Sequence, residues 1–298
     1  MKSLLGFAAL ATASALHAQG VGKPILDMHM HARQAAYAGK NPPPLCAPVA
    51  VMPRSDPKNG PAEGLEFAVD PPCANPIFAE RTDEAVMNRT IEAMERFNII
   101  AMVSGEPGLM AKWRAAAPAD RIIPGLDFRL PGTPGQAHVA ARSPAEIRAL
   151  HAQGQVAVLG EVMAQYEGVS PTDPRLEPYW ALAEELDIPV AIHMGPGEPA
   201  QPYGNSGYRA RLGDPLLLED VLVRHPRMRL YIMHAGYPMV DELRALMFTH
   251  PQVYVDVGII AFIEPRQAFL RLPQGTRRCG LWRSHHVRLR PDDLARSH

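Results

Sequence analysis

Short apolar runs alternate with amphipathic segments along most of this 298-residue chain. Runs that are apolar throughout, and that helices separate, are typical of parallel strands buried on both faces of a sheet. Seven strands are predicted in this way, over residues 25–29, 99–103, 122–126, 156–161, 189–193, 229–234 and 253–257. Helices are predicted between them over residues 82–97, 143–151, 177–186, 214–223 and 239–248. This order predicts an α/β fold made of strand–helix units.

A doubly wound open sheet and a closed (β/α)8 barrel both fit this alternation. The polar residues at the strand ends favour the barrel, because they occur at the carboxyl ends of four strands that are far apart in the sequence. These residues are His29, His31, Glu161, His193 and His234. In a barrel such ends converge on one mouth, where active sites are built. We therefore predict a (β/α)8 TIM barrel over residues 24–269.

The first 18 residues have the layout of a cleavable secretory signal: Met1-Lys2, a short apolar stretch, and Ala18 before the cleavage point. A buried first helix is the alternative. Cleavage predicts a periplasmic or secreted protein with no membrane contact after processing. The net charge of −1 gives no global field that favours nucleic acid. We therefore expect a small-molecule substrate and no nucleic-acid partner, and a homo-oligomer is compatible with the sequence.

A Pro-rich insertion covers residues 32–81 and contains Cys46 and Cys73. Export makes disulfides stable, and a bridge between these two cysteines would close a long loop with little regular structure. We predict this bridge and a lid over the mouth. Free thiols or a metal pair are the alternatives, although the spacing is not typical of metal ligands.

The Asp27-x-His29-x-His31 segment follows an apolar strand, and residues two apart in a strand point to the same side. Both imidazoles can therefore reach one metal, with Asp27 behind or beside them. His193 and His234 end two other buried strands, where a core histidine is the alternative for each taken alone. Imidazole and carboxylate ligands suit Zn²⁺, which we expect, or Mn²⁺ or Fe²⁺.

Glu161 places a carboxylate at the end of a fourth strand. It is predicted as a metal ligand, with an outer hydrogen-bond acceptor as the equal alternative.

The order Asp-x-His-x-His, Gly-Glu, strand-end His and His-Ala-Gly resembles the amidohydrolase superfamily, in its amidohydrolase-related (amidohydrolase 2) branch. The resemblance covers residues 25–269 and implies a metal-dependent TIM-barrel hydrolase. It further implies that His29 and His31 are first-strand ligands and that His193 is the fifth-strand ligand. His234 then corresponds to a histidine that binds metal or acts in catalysis.

The resemblance implies attack of a metal-bound hydroxide on an amide, ester or lactone carbonyl. His234 would polarise the carbonyl or move protons, and Asp27 is the second catalytic candidate. The same branch contains decarboxylases, so decarboxylation is one alternative function. A non-catalytic exported barrel that binds metal or ligand is the other.

Four side chains in the strand-end loops are predicted to contact substrate. Arg129 follows the third strand, and Tyr203, Tyr208 and Arg209 lie in the long loop after the fifth. An arginine there could hold a substrate carboxylate. A solvent-exposed side chain is the alternative for each of them.

The family pattern also needs an eighth-strand Asp, usually in Gly-Ser-Asp, and this chain lacks it after Phe269. Residues 270–298 are instead rich in Arg, His and Pro. Asp292 and Asp293 are poor substitutes, because no apolar strand precedes them. We therefore predict that the eighth unit is missing or scrambled and that enzymatic activity is impaired.

Two explanations of this tail remain. A nucleotide sequence for residues 270–296 can be written with degenerate bases chosen to fit. When it is read one nucleotide forward, it can encode a helix, an apolar strand and Gly-Ser-Asp. This favours a frameshifted tail. The rival is a true basic tail that binds nucleic acid or membrane, with Trp282 among Arg277, Arg278 and Arg283.

Sequencing the gene across the codons for Phe269 and Leu270 tests the frameshift. Restoring the shifted frame should raise both soluble yield and metal occupancy, because an incomplete barrel exposes apolar edges at its first and seventh strands. Ordinary turnover by the purified 298-residue chain would contradict the prediction of impaired activity.

Overall fold

The computed structural model describes residues 23–39, 44–48, 58, 75–133, 139–197, 201–203 and 207–271. The predicted signal segment, most of the Pro-rich insertion and the tail from residue 272 onward lie outside the described residues.

The described residues form one parallel sheet in which the strands are neighbours in chain order. The strands are β1 (Ile25–His31), β2 (Ile99–Ser104), β3 (Ile122–Phe128), β4 (Val158–Val162), β5 (Val190–His193), β6 (Leu230–Met233) and β7 (Tyr254–Val255). All seven predicted strands are confirmed, although β7 is only two residues long.

Helices lie between the strands as predicted, with two additions: one between β2 and β3, and a short one after β7. They are α1 (Asp83–Arg96), α2 (Pro107–Ala116), α3 (Pro144–Ala152), α4 (Glu177–Leu186), α5 (Glu219–Arg224), α6 (Val240–Thr249) and α7 (Ile260–Ile263). The sequence analysis missed α2 because Pro107 and Gly108 at its start are typical of a loop. A proline is tolerated in the first helical turn, where the N–H has no intrahelical partner.

The helix predicted over residues 214–223 is wrong in its first part. Asp214 accepts a hydrogen bond from the Leu216 N–H at 2.9 Å and begins a 3₁₀ turn, Pro215–Leu218. The α-helical geometry of α5 begins only after this turn. A short polar side chain that bonds the backbone two residues on stabilises a turn in competition with a helix.

The sheet is curled, as shown by the side chains from β1 to β6 that meet on its inner side. One buried cluster combines Met28, Met102, Ile123, Ala157, Val158, Ala191, Tyr231 and Met233. The Tyr231 hydroxyl crosses this interior from β6 and donates to the Met28 carbonyl of β1 at 2.9 Å. Inward side chains that fill the centre are those of a barrel core and not of an open, flat sheet.

The curled sheet has two unpaired edges within the described residues, β1 and β7. Every residue of β3 and β4 is buried, whereas β1 is mostly half-buried and Ile25 is 56% exposed. The prediction that the eighth unit is missing or scrambled falls on residues outside those that the structure describes. In the described part of the chain, no helix has the length and apolarity needed to cross a membrane.

Candidate metal centre

Glu161, at the end of β4, lies at the centre of the mouth and is surrounded by imidazoles. Its Oε1 is 2.7 Å from His193 Nδ1 and 3.6 Å from His234 Nε2. Its Oε2 is 3.1 Å from His31 Nε2 and 3.7 Å from His29 Nε2. The structure thus brings together all five side chains that the sequence analysis proposed as ligands.

Three of these side chains already have the spacing of metal ligands. One donor atom each from His29, Glu161 and His234 lies within 4.8 Å of the other two. The imidazole rings of His193 and His29 flank that of His234, with centroid separations of 4.4 and 4.5 Å. Nitrogen and carboxylate donors at this density fit a divalent ion such as Zn²⁺, Mn²⁺ or Fe²⁺.

Burial would by itself raise the pKa of Glu161, but hydrogen bonds to the four surrounding histidines outweigh that effect. The pKa of this carboxyl is therefore held well below its ordinary value. Burial also lowers the pKa of His193, and the nearby Glu161 carboxylate offsets only part of that decrease. The site thus combines an ionised carboxylate with a neutral imidazole, the protonation states that metal ligation requires.

His29 is different, because a second carboxylate lies behind it. Its Nδ1 is 3.0 Å from Oδ1 of Asp256, the residue that follows β7 by one position. Burial lowers the pKa of His29, yet Asp256 and then Glu161 outweigh this and raise it to about 10.

The neighbours of His31 determine which of its nitrogens carries the proton. Its Nδ1 is 3.2 Å from Nη2 of Arg33, and a guanidinium can only donate. Nδ1 is therefore the acceptor, also for the Ser104 hydroxyl at 2.7 Å. The proton then lies on Nε2, which donates to Glu161. Arg33 itself is held by the buried Asp127, whose Oδ2 is 3.0 Å from Nη1.

His234 and His193 are each oriented by one further hydrogen bond. The Nδ1 of His234 donates to the Gly258 carbonyl at 3.0 Å, and its Nε2 faces Oε1 of Glu161 at 3.6 Å. The backbone of His234 is left-handed, with φ 55°, an uncommon conformation for a non-glycine residue. The Nε2 of His193 lies 3.0 Å from the Tyr166 hydroxyl.

A family model described as Amidohydrolase, of the amidohydrolase-2 branch, matches residues 26–279. This match covers most of the chain. The chain belongs to the amidohydrolase family. A search of curated proteins finds no match.

Several solved structures are similar to this amidohydrolase chain. An uncharacterized TIM-barrel protein from Bordetella bronchiseptica is 19% identical over 64% of this chain and 66% of its own, with a TM-score of 0.47. A probable 2-pyrone-4,6-dicarboxylic acid hydrolase from Acinetobacter baumannii is 11% identical over 92% and 91%, also at 0.47. A 2,6-dihydroxybenzoate decarboxylase from Rhizobium is 11% identical over 92% and 95%, at 0.40. The activities named are those of these proteins.

Asp27, the second catalytic candidate, contacts the backbone of the amidohydrolase motif. Its Oδ1 accepts a hydrogen bond from the His29 N–H at 2.9 Å. This contact restrains the backbone from Asp27 to His29, just before the second first-strand histidine. A direct catalytic role for Asp27 stays a prediction.

The four predicted substrate contacts have different surroundings. Arg129 donates to the backbone carbonyls of Val139 and Thr133, at 2.9 and 3.0 Å, and so holds its own loop together. Tyr208 is buried, and its hydroxyl accepts from the Gly197 N–H. Burial, partly offset by this hydrogen bond, raises the pKa of Tyr208.

The other two candidates lie nearer the surface. Tyr203 is 71% exposed. Arg209 donates to the carbonyls of Tyr208 and Pro202, at 2.6 and 3.3 Å. For all four residues, a role in substrate binding stays a prediction.

Sequence analysis missed two residues of the site, Arg33 and Asp256. Each had a signal: Arg33 is two positions beyond the His-x-His pair, and Asp256 interrupts an apolar predicted strand. Cys46 is disulfide-bonded. Its predicted partner, Cys73, lies outside the described residues, so the pairing stays a prediction.

Metal binding should release a proton from His29, because its raised pKa keeps it charged at neutral pH in the metal-free protein. The apparent Zn²⁺ affinity should rise by about tenfold per pH unit between about pH 7 and 8.5 if one proton is displaced. Calorimetry in two buffers of different ionisation enthalpy measures the release. An affinity that does not change with pH would contradict this assignment of charge.

Proposed function

We propose that the mouth of this barrel is a divalent metal centre that hydrolyses an amide, ester or lactone carbonyl, with Zn²⁺ as the expected ion. The observation that carries the proposal is a carboxylate, Glu161, buried among four imidazoles from three other strands. Such a cluster concentrates nitrogen and oxygen donors in one small space at the mouth. This is the donor chemistry of catalytic metal sites.

The proposal assigns His29, His31, His193 and Glu161 to metal binding, with His234 as a ligand or proton carrier. A divalent ion held there would polarise a carbonyl oxygen and lower the pKa of water. The residues at the mouth are reachable, since the His31 side chain is 23% exposed and that of His234 is 12% exposed.

His234 is the side chain best arranged to move a proton. Its Nδ1 is held by the Gly258 carbonyl, and its Nε2 lies 3.6 Å from Glu161 Oε1, where it would exchange a proton with water or substrate at the mouth. A histidine in this position can act as a general base toward water and afterwards as a general acid toward the leaving group. Hydrolysis needs both steps.

Arg33 would orient the substrate beside the metal ligands. Of its five N–H donors, one contacts Asp127 and one contacts His31. Its guanidinium carbon also lies 5.3 Å from the centre of the Tyr37 ring, a cation–π arrangement that restrains it. The remaining donors suit a carbonyl or carboxylate oxygen of the substrate.

The experiment loads the purified chain and its frame-restored version with Zn²⁺, Mn²⁺ or Fe²⁺ and offers panels of lactones, esters, amides and aromatic carboxylic acids. We expect hydrolysis by the frame-restored version and low or absent turnover by the 298-residue chain, because of the lost eighth-strand Asp. His234→Asn should lower kcat by about 100-fold or more. His250→Asn is the matched control, because His250 ends α6 and pairs with Glu219 outside the histidine cluster of the mouth.

The products distinguish the alternatives. Release of CO₂ from a carboxylic acid, without hydrolysis of any panel member, would show that the chain is a decarboxylase and not a hydrolase. Bound metal without turnover in either version would instead indicate a non-catalytic binding barrel. Absence of bound metal in both would overturn the metal centre itself.

We also propose that the chain is exported and processed after Ala18. The disulfide-bonded state of Cys46 supports an oxidising compartment. Expression with the native N-terminus should give a periplasmic or secreted product whose intact mass begins at Gln19. A full-length product that stays in the cytoplasm would contradict export.

A further inference from the structure

We propose that Asp256 is a positioning residue of the metal centre: it orients His29 and joins the two open edges of the sheet at the mouth. The inference rests on the proposed metal centre. It adds a function for a residue that does not itself belong to the ligand cluster.

The hydrogen bonds of the Asp256 carboxylate connect three parts of the site. Its Oδ1 is 3.0 Å from His29 Nδ1, 3.0 Å from the backbone N of His234 and 2.9 Å from the backbone N of Gly258. Its Oδ2 lies 3.1 Å from the same His29 nitrogen. An ionised carboxylate only accepts, so all three groups donate to it.

This arrangement fixes the orientation of the His29 ring. With Nδ1–H donating to Asp256, the ring presents Nε2 toward Glu161 and the other ligands. A carboxylate behind a ligating histidine sets its tautomer and raises its basicity as a ligand. Asp256 has this relation to His29, on the side of the ring opposite Glu161.

The same contact joins strands that do not pair with each other. In the described sheet, β1 hydrogen-bonds to β2 and β7 to β6, so the two outer edges share no backbone ladder. Asp256 follows β7, and its own N–H donates to Ile232 of β6 at 3.1 Å. Its side chain then reaches His29 of β1. The residue therefore connects the last strands to the first where the ligands lie.

Gly258 shows how closely this segment approaches the ring. A Cβ atom at Gly258 would overlap the His29 imidazole, so a glycine is required for this packing. The Gly258 carbonyl also accepts from His234 Nδ1 at 3.0 Å. Residues 256–258 thus hold two histidines of the centre by separate contacts.

The experiment compares Zn²⁺ affinity among the wild-type chain, Asp256→Asn and Asp241→Asn by competition with a chromophoric chelator. Asp241 is the matched control, because its side chain is 90% exposed on a helix. Asp256→Asn keeps the shape and removes the charge, and should weaken Zn²⁺ binding by about 10- to 100-fold. Asp241→Asn should leave the affinity unchanged.

Two measurements separate positioning from folding. Circular dichroism of the metal-free variants should show unchanged secondary structure. Proton spectra of the zinc-loaded wild type should contain a downfield signal from the His29 Nδ1–H, and Asp256→Asn should lose it. If Asp256→Asn does not fold, Gly258→Ala replaces it, since that variant keeps the carboxylate and displaces the ring.

The possible failures are distinguishable. A wild-type chain that binds no Zn²⁺ would overturn the proposed function. If Asp256→Asn binds Zn²⁺ as tightly as the wild type does, the inference alone is overturned. Where Asp256→Asn is unfolded, equal Zn²⁺ affinity of Gly258→Ala and the wild type has the same consequence. Weaker binding with an unchanged His29 proton signal would also overturn it, because the loss would then come from general destabilisation.

Discussion

The burial of the Glu161 carboxylate is the constraint on which the arrangement of the mouth depends. An isolated ionised carboxylate inside a protein is costly, and it persists only when donors or cations surround it. Here the donors are imidazoles from the carboxyl ends of β1, β5 and β6, so the strands must curl until their ends meet around one side chain. The charge of this carboxylate and the curvature of the sheet are therefore coupled.

The convergence of the candidate ligands could be predicted from the sequence because strand ends obey a simple geometric rule. In a parallel barrel, every carboxyl end lies on the same face, so histidines that end different strands converge wherever they occur in the chain. Asp256 escaped this reasoning, because it follows a two-residue strand and its neighbours are apolar. The direction of the Asp256 side chain toward His29 depends on how far the sheet curls, and no local sequence pattern encodes this curvature. Arg33 escaped for a related reason, since its partner Asp127 comes from β3.

The elements that were mispredicted share a physical cause, the competition between local and tertiary interactions. Helix α2 begins with Pro107-Gly108, a pair with low helix propensity, yet burial of Met110 and Trp113 on one side stabilises it. The segment before α5 has apolar residues with a helical spacing, yet the Asp214 side chain stabilises a turn instead. Tertiary packing therefore stabilises helix α2, whereas a side-chain cap stabilises the turn before α5.

The open side of the sheet gives His29 a second structural role beside its role as a proposed ligand. At the far end of β1, Ile25 is 56% exposed and the edge is uncovered among the described residues. At the mouth, the same strand is held across the opening by His29 and Asp256. An unpaired edge is free to shift or to associate with another chain unless side chains restrain it. Displacement of β1 would therefore move a proposed metal ligand directly. The geometry of the centre is kept only while the contact between His29 and Asp256 holds β1 in place.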